Sequence, residues 1–381
     1  MRICLSLVAL GLSVASCSAL GGSAQCRVDG DCADFGVAVC AEDGVCVSRP
    51  AMPPAAAPPG SGPVTSEGTS TPLPPDASTP PVPVEAGAPD PCLATNKPRV
   101  PVAGRSPQAG ILEITTNTTL RCTEDHVLVG DVVVLPGVTL TVEAGTTILG
   151  DVVTRGSLTV RAGGRLVAAG TAQKPIVFTS SQPPSQRAPS DWGGLAVLGL
   201  APPTGTLPHL ALPWGGTDAE HDAGVLRYVR VEYAARGLEL GGVGRGTAVD
   251  FVQVRKAGDN CLRLRGGTVR AKHLLCQYPG DEMVEISEGY DGELQYLVGQ
   301  RTPIRDRERN GLLIEGARAV VTNATFCGSD VTNDSFAFVA RSGASLSLTN
   351  AIALGFGAGL DVQGAPASLE VRGVTFHRLH A

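Results

Sequence analysis

Asp259 and Asp281 are the residues whose type and spacing most invite chemistry. The second half of the chain repeats at roughly 20 to 27 residues. In a chain that coils at that period, the two acids fall at the same corner of successive coils, and their carboxylates can approach. Two stacked acids either share a cation or push a pKa up. A carboxylate pair about 5–10 Å apart can also cleave a glycosidic bond by acid–base catalysis. Glu282, Asp291, Arg263 and Lys272 lie nearby in sequence as further acids and possible bases. The plainer reading of the same set is that turns favour Asp and outward faces carry charge.

Other reactive patterns are absent from the sequence. There is no G-x-S-x-G, H-E-x-x-H or phosphate-binding P-loop. His273, between Lys272 and Leu274, has no second His at metal spacing and reads as a strand-face residue. No cofactor and no metal is expected. The run Arg305-Asp-Arg-Glu-Arg309 reads as a solvated loop. The net charge of −6 leaves nothing to neutralise a phosphate backbone, so no nucleic-acid partner is expected. Trp192 and Trp214, both near Gly pairs, are candidate sugar platforms or caps over an open sheet edge.

The elements that would position these residues are strands. The chain has 381 residues with 48 Gly and only 8 Phe, 5 Tyr and 2 Trp, which suits a repetitive β-fold filled by small aliphatics. From Cys92 onward, short alternating runs are separated by Gly-containing turns. In Val138-Thr-Leu-Thr-Val-Glu143, period two puts Val138, Leu140 and Val142 inside and Thr139, Thr141 and Glu143 outside. Later runs that overlay begin at Val225, Val249, Val269, Gly292, Ala319, Ser345 and Ser368. One such unit buries nothing alone; stacked units bury an aliphatic column and pair their strands above and below. The expectation is an all-β solenoid of roughly a dozen coils of about 22 residues. A propeller would repeat at about 40–50 residues, and a sandwich needs short hairpins without lengthwise self-similarity. Asn323 and Asn350 occupy matching places in Val321-Thr-Asn-Ala and Leu348-Thr-Asn-Ala, where either an amide ladder or simple turn chemistry fits.

The first 91 residues differ in kind. Ile3 to Val14 is an apolar run behind Arg2, as long as an export-signal core and too short to span a bilayer. It ends in Val14-Ala-Ser-Cys17, which resembles a bacterial lipobox, so residues 1–16 are expected to be removed and Cys17 lipidated, anchoring residues 17–25 to an outer or surface membrane. Cleavage after Ala24, giving a soluble secreted protein, is the alternative. Cys26, Cys32, Cys40 and Cys46 carry two copies of C-x-x-D-G-x-C and are expected to pair as two disulfides across residues 26–46, with connectivity open. Their spacing is too wide for zinc knuckles. Residues 47–91 hold fourteen of the 29 prolines between Pro50 and Pro91 and read as a disordered, extended spacer. Cys92 and Cys122 are candidates to staple the entrance of the solenoid, residues 92–381, and Cys327 is a candidate unpaired, buried thiol.

Several runs carry a family resemblance: Leu135-Pro-Gly-Val-Thr-Leu-Thr-Val-Glu-Ala-Gly-Thr-Thr-Ile148, Gly156-Ser-Leu-Thr-Val-Arg-Ala-Gly163, Asp191-Trp-Gly-Gly194 and Gly258-Asp-Asn-Cys-Leu-Arg-Leu-Arg-Gly-Gly-Thr-Val269. They resemble exported bacterial surface lipoproteins with a right-handed parallel β-helix of the pectin-lyase-like type, over most of residues 110–380. The resemblance implies fold and export. It says little of activity, although enzymes on this fold are typically polysaccharide lyases or glycoside hydrolases. The chain departs from the pattern at Asn260 and Cys261, where relatives usually carry Asp and Gly, which removes a carboxylate from any cation set at that corner. The combined expectation is a lipid-anchored display or adhesion scaffold whose partners are the membrane, through Cys17, and glycans or other surface components. The alternative is a carbohydrate-active enzyme using Asp259, Asp281, Arg263 and Lys272.

Overall fold

The computed structural model describes residues 38–40, 46–48, 90–301, 309–329 and 335–379. Strands Ala38–Cys40 and Cys46–Ser48 pair antiparallel, with Cys40 opposite Cys46, in a unit of their own, Leu20–Ala88. The expected signal, Cys17, Cys26, Cys32 and residues 49–89 of the spacer lie outside the described residues, as do the side chains of Cys40 and Cys46.

From residue 90 the chain winds as a parallel β-helix with three faces. The first face begins with Thr118–Leu120, Thr139–Val142 and Arg165–Ala169, stacked in parallel. The second begins with Arg99–Pro101, Asp125–Leu128, Thr147–Gly150 and Ile176–Ser180. From Gly224–Glu232 onward one long strand serves both faces in each coil. Its successors are Ala248–Arg255, Arg270–Gln277, Asp291–Gln300, Arg318–Cys327, Ser345–Leu354 and Ser368–His377. The third face is an eleven-stranded sheet in which an antiparallel strand, Arg105–Gln108, leads into ten parallel ones from Ile111–Ile114 to Ala358–Val362. Ten coils at about 4.8 Å each make a body about 48 Å long. The expected dozen overcounts, because several coils are longer than 22 residues and residues 199–223 leave the coil altogether.

Alternation and stacking explain the interior. On the second face Val229, Val252, Leu274, Leu297, Ala324 and Ala351 lie directly above one another. On the third, Leu238, Leu262, Val284, Leu312 and Phe338 do the same. All of these are buried. Each valine, leucine or phenylalanine in these columns contributes about 1.5–3 kcal/mol by leaving water, and each alanine less, which offsets the ordering entropy of a coil that has no packing of its own.

Each long strand bends from the first face to the second at one residue in the left-handed region: Tyr228, Phe251, His273, Tyr296, Asn323, Asn350 and Gly373. The first four form a column of parallel rings at 4.6, 4.3 and 4.8 Å between centroids. Asn350 Nδ2 then donates to Asn323 Oδ1 at 2.6 Å, so the two asparagines are both turn formers and an amide ladder. His273 thus sits at a corner rather than on a strand face, held by Asp250 Oδ1 at 2.8 Å from its Nδ1.

Cys92 and Cys122 are bonded at the entrance, as their placement suggested. A second bridge, Cys261–Cys276, lies inside the coil between the end of the second face and the start of the third. Cys327 is buried, as expected, but disulfide-bonded rather than a free thiol; it ends its strand where the chain leaves the second face. The tryptophans are neither sugar platforms nor edge caps. Trp192 is fully buried mid-solenoid, with Nε1 donating to Glu232 O at 2.8 Å. Trp214 roots the excursion 199–223, whose strands Gly205–Leu207 and Leu212–Trp214 pair as a hairpin. The hairpin packs on Ala196 and Leu198, on the outer side of the third face. Gly242 and Gly266 let the indole approach, since a Cβ on either would lie within 3 Å of its ring.

Candidate functional site

The polar side chains converge on the outer surface of the third face and on the corner that leads into it. Strands Ala234–Gly241, Leu262–Arg265 and Val284–Ser287 turn their leucines, valine and isoleucine inward, so Glu239, Arg263 and Glu285 point outward in register. Arg263 is the hub. Its Nε donates to Glu285 Oε2 at 2.8 Å, and its Nη1 reaches Asp259 Oδ2 at 3.1 Å and Glu239 Oε1 at 3.4 Å. Burial works against this cation, but the charges of Glu285 and Asp259 outweigh it and raise its pKa. Glu239 is only 4% exposed and also meets Arg236 Nε at 3.4 Å. His209, in the turn of the hairpin, stands 3.9 Å from Glu239. Burial first and the Arg236 charge second hold the imidazole down to about 4, so it is neutral at physiological pH.

The corner between the second and third faces adds the acids. Asp281 follows Asp259 one coil later, its N–H directed at the Asp259 carbonyl at 3.4 Å. Beside it, the Glu282 carboxyl is pushed up to about 7, by burial and then by the Asp281 charge. Asn310 Nδ2 donates to Glu282 Oε1 at 3.3 Å. Arg301 crosses beneath, its Nη2 donating to the carbonyls of Asp281 at 2.7 Å and Asn310 at 2.5 Å. Burial draws its pKa down to about 10. Asn260 Nδ2 donates to Glu285 Oε2 at 2.7 Å. The outer rim of the corner is a second left-handed column, Tyr233, Lys256 and Tyr278, with the Lys256 ammonium 5.4 Å from the Tyr233 ring centre.

Of the residues singled out in the sequence, the fold brings Asp259, Asp281 and Arg263 together and adds Glu282. Lys272 stays apart: it belongs to the first face, between Asp250 and Gln295. Asp291 also belongs to that side, facing Arg318 at 3.8 Å. Glu239, Glu285, His209, Arg301 and Asn310 were not found by sequence reasoning. Glu239 and Glu285 were legible in principle, because each lies one coil from Arg263 on an outward position. His209 and Arg301 belong to irregular segments with no period to follow. Among the described residues, no group of three or more His, Cys, Asp and Glu side chains could hold a metal ion.

Chemically, the arrangement contains one carboxyl, Glu282, whose pKa is raised to about 7. The guanidinium of Arg263 is already bonded to three carboxylates.

Comparison with known proteins agrees with the architecture. The chain resembles a solved structure titled alginate lyase from Paenibacillus sp. str. FPU-7 at 14% identity and a TM-score of 0.25, with 66% of this chain and 91% of that one covered. No curated protein matches the chain. The model of the pectate-lyase-like β-helix domain matches residues 112–380, and the chain belongs to that family.

Proposed function

We propose that this chain is an exported, lipid-anchored surface protein whose β-helix contacts glycans on its third face as a scaffold and does not cleave them. One observation carries the non-catalytic part: Arg263 is committed to Glu239, Asp259 and Glu285. A lyase acting on a uronate needs a cation or neutral donor available to the substrate carboxylate, and the central cation of this face is already neutralised. The lipobox at Cys17 supports the anchor. The buried Cys261–Cys276 bridge supports folding in an oxidising compartment. Intact mass of the mature N-terminus tests the anchor: a diacylglyceryl-modified Cys17 is expected, and an unmodified peptide starting after Ala24 would remove it.

A second reading has its own observation. Burial and the Asp281 charge push the Glu282 carboxyl up to about 7 in a corner shared with Asp259 and Asp281, and a carboxyl that holds a proton near neutral pH is what the acid of a glycoside hydrolase needs. A depolymerisation screen on acidic and neutral polysaccharides, read as new reducing ends and as unsaturated uronate absorbance, separates the two. The scaffold reading expects no turnover; turnover that Glu282→Gln abolishes would establish the enzyme.

A further inference from the structure

An exposed apolar stripe follows the bend from the first face to the second. Phe251, His273 and Tyr296 stand at the bend; two positions on, outward on the second face, Leu275, Val298, Thr325 and Ile352 lie in register. Phe251, Tyr296, Val298 and Ile352 are each between 37% and 45% exposed. Four large apolar side chains open to water within about 20 Å of one sheet mark an interaction surface. The rings stack on one another, so both faces of Phe251 and His273 are covered and their edges meet solvent. Ring edges carry the positive side of the aromatic quadrupole.

Cations border the same stripe. Arg227 and Arg230 flank Tyr228, and Lys272 precedes His273, all three exposed. Arg230 and Lys272 have no ion-pair or hydrogen-bond partner among the described residues. The remaining charges on the outward side of these strands are Arg255, Arg270, Glu232, Asp250 and Glu293. Asp250 is buried between His273 and Arg227, Arg270 pairs with Glu293 at 3.0 Å, and Glu232 lies in register with Arg255. Five cations thus stand against three anions, in a chain whose net charge is −6. Further along, Arg318 is matched by Asp291 and Arg372 by Glu370, while Gln295, Thr322 and Thr349 are uncharged.

From this we infer that the bend between the first and second faces docks on an anionic phospholipid surface. The inference rests on the anchored reading above and adds which side of the solenoid meets the membrane. Arg227, Arg230 and Lys272 reach headgroup phosphates while their stems lie along apolar surface, and Tyr296, Val298 and Ile352 enter the boundary between headgroups and acyl chains. The positive ring edges at the bend suit the same phosphates. A sugar ring needs an aromatic face to stack on, and here neighbouring rings occupy the faces. A second copy of the chain would bring the same unpaired cations to a shared interface with no anions to meet them.

The test uses the chain from residue 17 onward with Cys17→Ser, so that neither the apolar signal nor a lipid inserts on its own. Co-sedimentation is measured with vesicles of phosphatidylglycerol and phosphatidylcholine in equal parts, and with phosphatidylcholine alone. Binding to the anionic vesicles is expected, weakened by about 0.5 M salt and much lower on phosphatidylcholine. Arg230→Gln with Lys272→Gln removes two exposed charges that hold nothing in the fold and should weaken binding roughly thirtyfold. Val298→Thr with Ile352→Thr keeps the β-branched shape and should weaken it roughly fivefold. Circular dichroism confirms the fold of both variants. No binding to either vesicle, or binding that both variants leave unchanged, overturns the proposal. Loss in the charge variant alone marks plain charge attraction and overturns docking of the apolar column. Displacement by dissolved polygalacturonate, but not by polyglutamate of equal charge, makes the occupant a glycan and overturns it too. So does a dimer in sedimentation velocity without vesicles that the Val298→Thr, Ile352→Thr variant returns to monomer. Because no lipid is attached, failure here leaves the anchor at Cys17 standing, and an unmodified N-terminus leaves the docking standing.

Discussion

Replacing Glu282 by Gln should alter how the stability of the solenoid depends on pH, with a sign that follows from the raised pKa. In the folded chain this carboxyl holds its proton to about pH 7, against an ordinary value of 4.5. Below about pH 4.5 both folded and unfolded states are protonated and nothing is lost. Between there and about pH 7 the unfolded chain releases a proton that the folded chain keeps, so stability falls as pH rises. The gap between about 7 and 4.5, at about 1.4 kcal/mol per pH unit, amounts to about 3 kcal/mol by pH 8. Water reaching the partly exposed carboxyl makes this an upper value. Gln cannot titrate, yet its Oε1 can still accept from Asn310. The variant should therefore gain about 3 kcal/mol over wild type between about pH 5 and about pH 8. His209 works in the opposite sense: its pKa of about 4 lies below the ordinary 6.5, so its contribution grows as pH rises through that window. It is common to both proteins and cancels in the difference. Arg301, Asp281 and Glu285 face the same carboxyl and also remain in both. Urea unfolding followed by circular dichroism at the two pH values measures the change. An equal stability difference at both would refute the claim that Glu282 is held protonated.

Three further outcomes follow from packing. Changing Cys261 and Cys276 together to Ala reopens a loop with a sequence separation of 15 and should cost about 3 kcal/mol, read by denaturant midpoint. Trp214→Ala should release the hairpin at 199–223 before the solenoid itself yields, seen as faster limited proteolysis confined to that segment, with a local loss of about 3–5 kcal/mol. Asn350→Ala should lose about 1 kcal/mol for the amide bond to Asn323 and about as much again for its left-handed backbone; Asn350→Gly should restore only the second part.

The fold was legible because two independent periods agree. Alternation at two set which residues face inward, as Thr139–Val142 shows, and recurrence at 22 to 27 set the coil. The left-handed column was equally available, since Tyr228, Phe251, His273 and Tyr296 keep the same spacing, but rings at that spacing read as ordinary strand residues until the bend is known. The site was half legible. Asp259 and Asp281 stack because the coil period places them so, and Arg263 joins them four residues after Asp259. Lys272 was drawn in by sequence proximity alone; nine residues beyond Arg263 the chain has turned onto another face. His209 came from an excursion whose length carries no periodic signal. The Cys261–Cys276 bridge was missed because both residues sit at aliphatic positions, where a cysteine passes for a small hydrophobe.

The last of the long strands, Ser368–His377, is exposed along most of its length and has no cross-link of its own among the described residues, whereas the first coils are cross-linked at Cys92–Cys122. Because every coil leans only on its neighbours, such a body should loosen directionally. Amide protons on the C-terminal coils should exchange with solvent first, and protection should climb stepwise toward the coils joined through Cys261 and Cys276. Partial opening of this molecule would then shorten the rod from one end and leave the acidic corner intact.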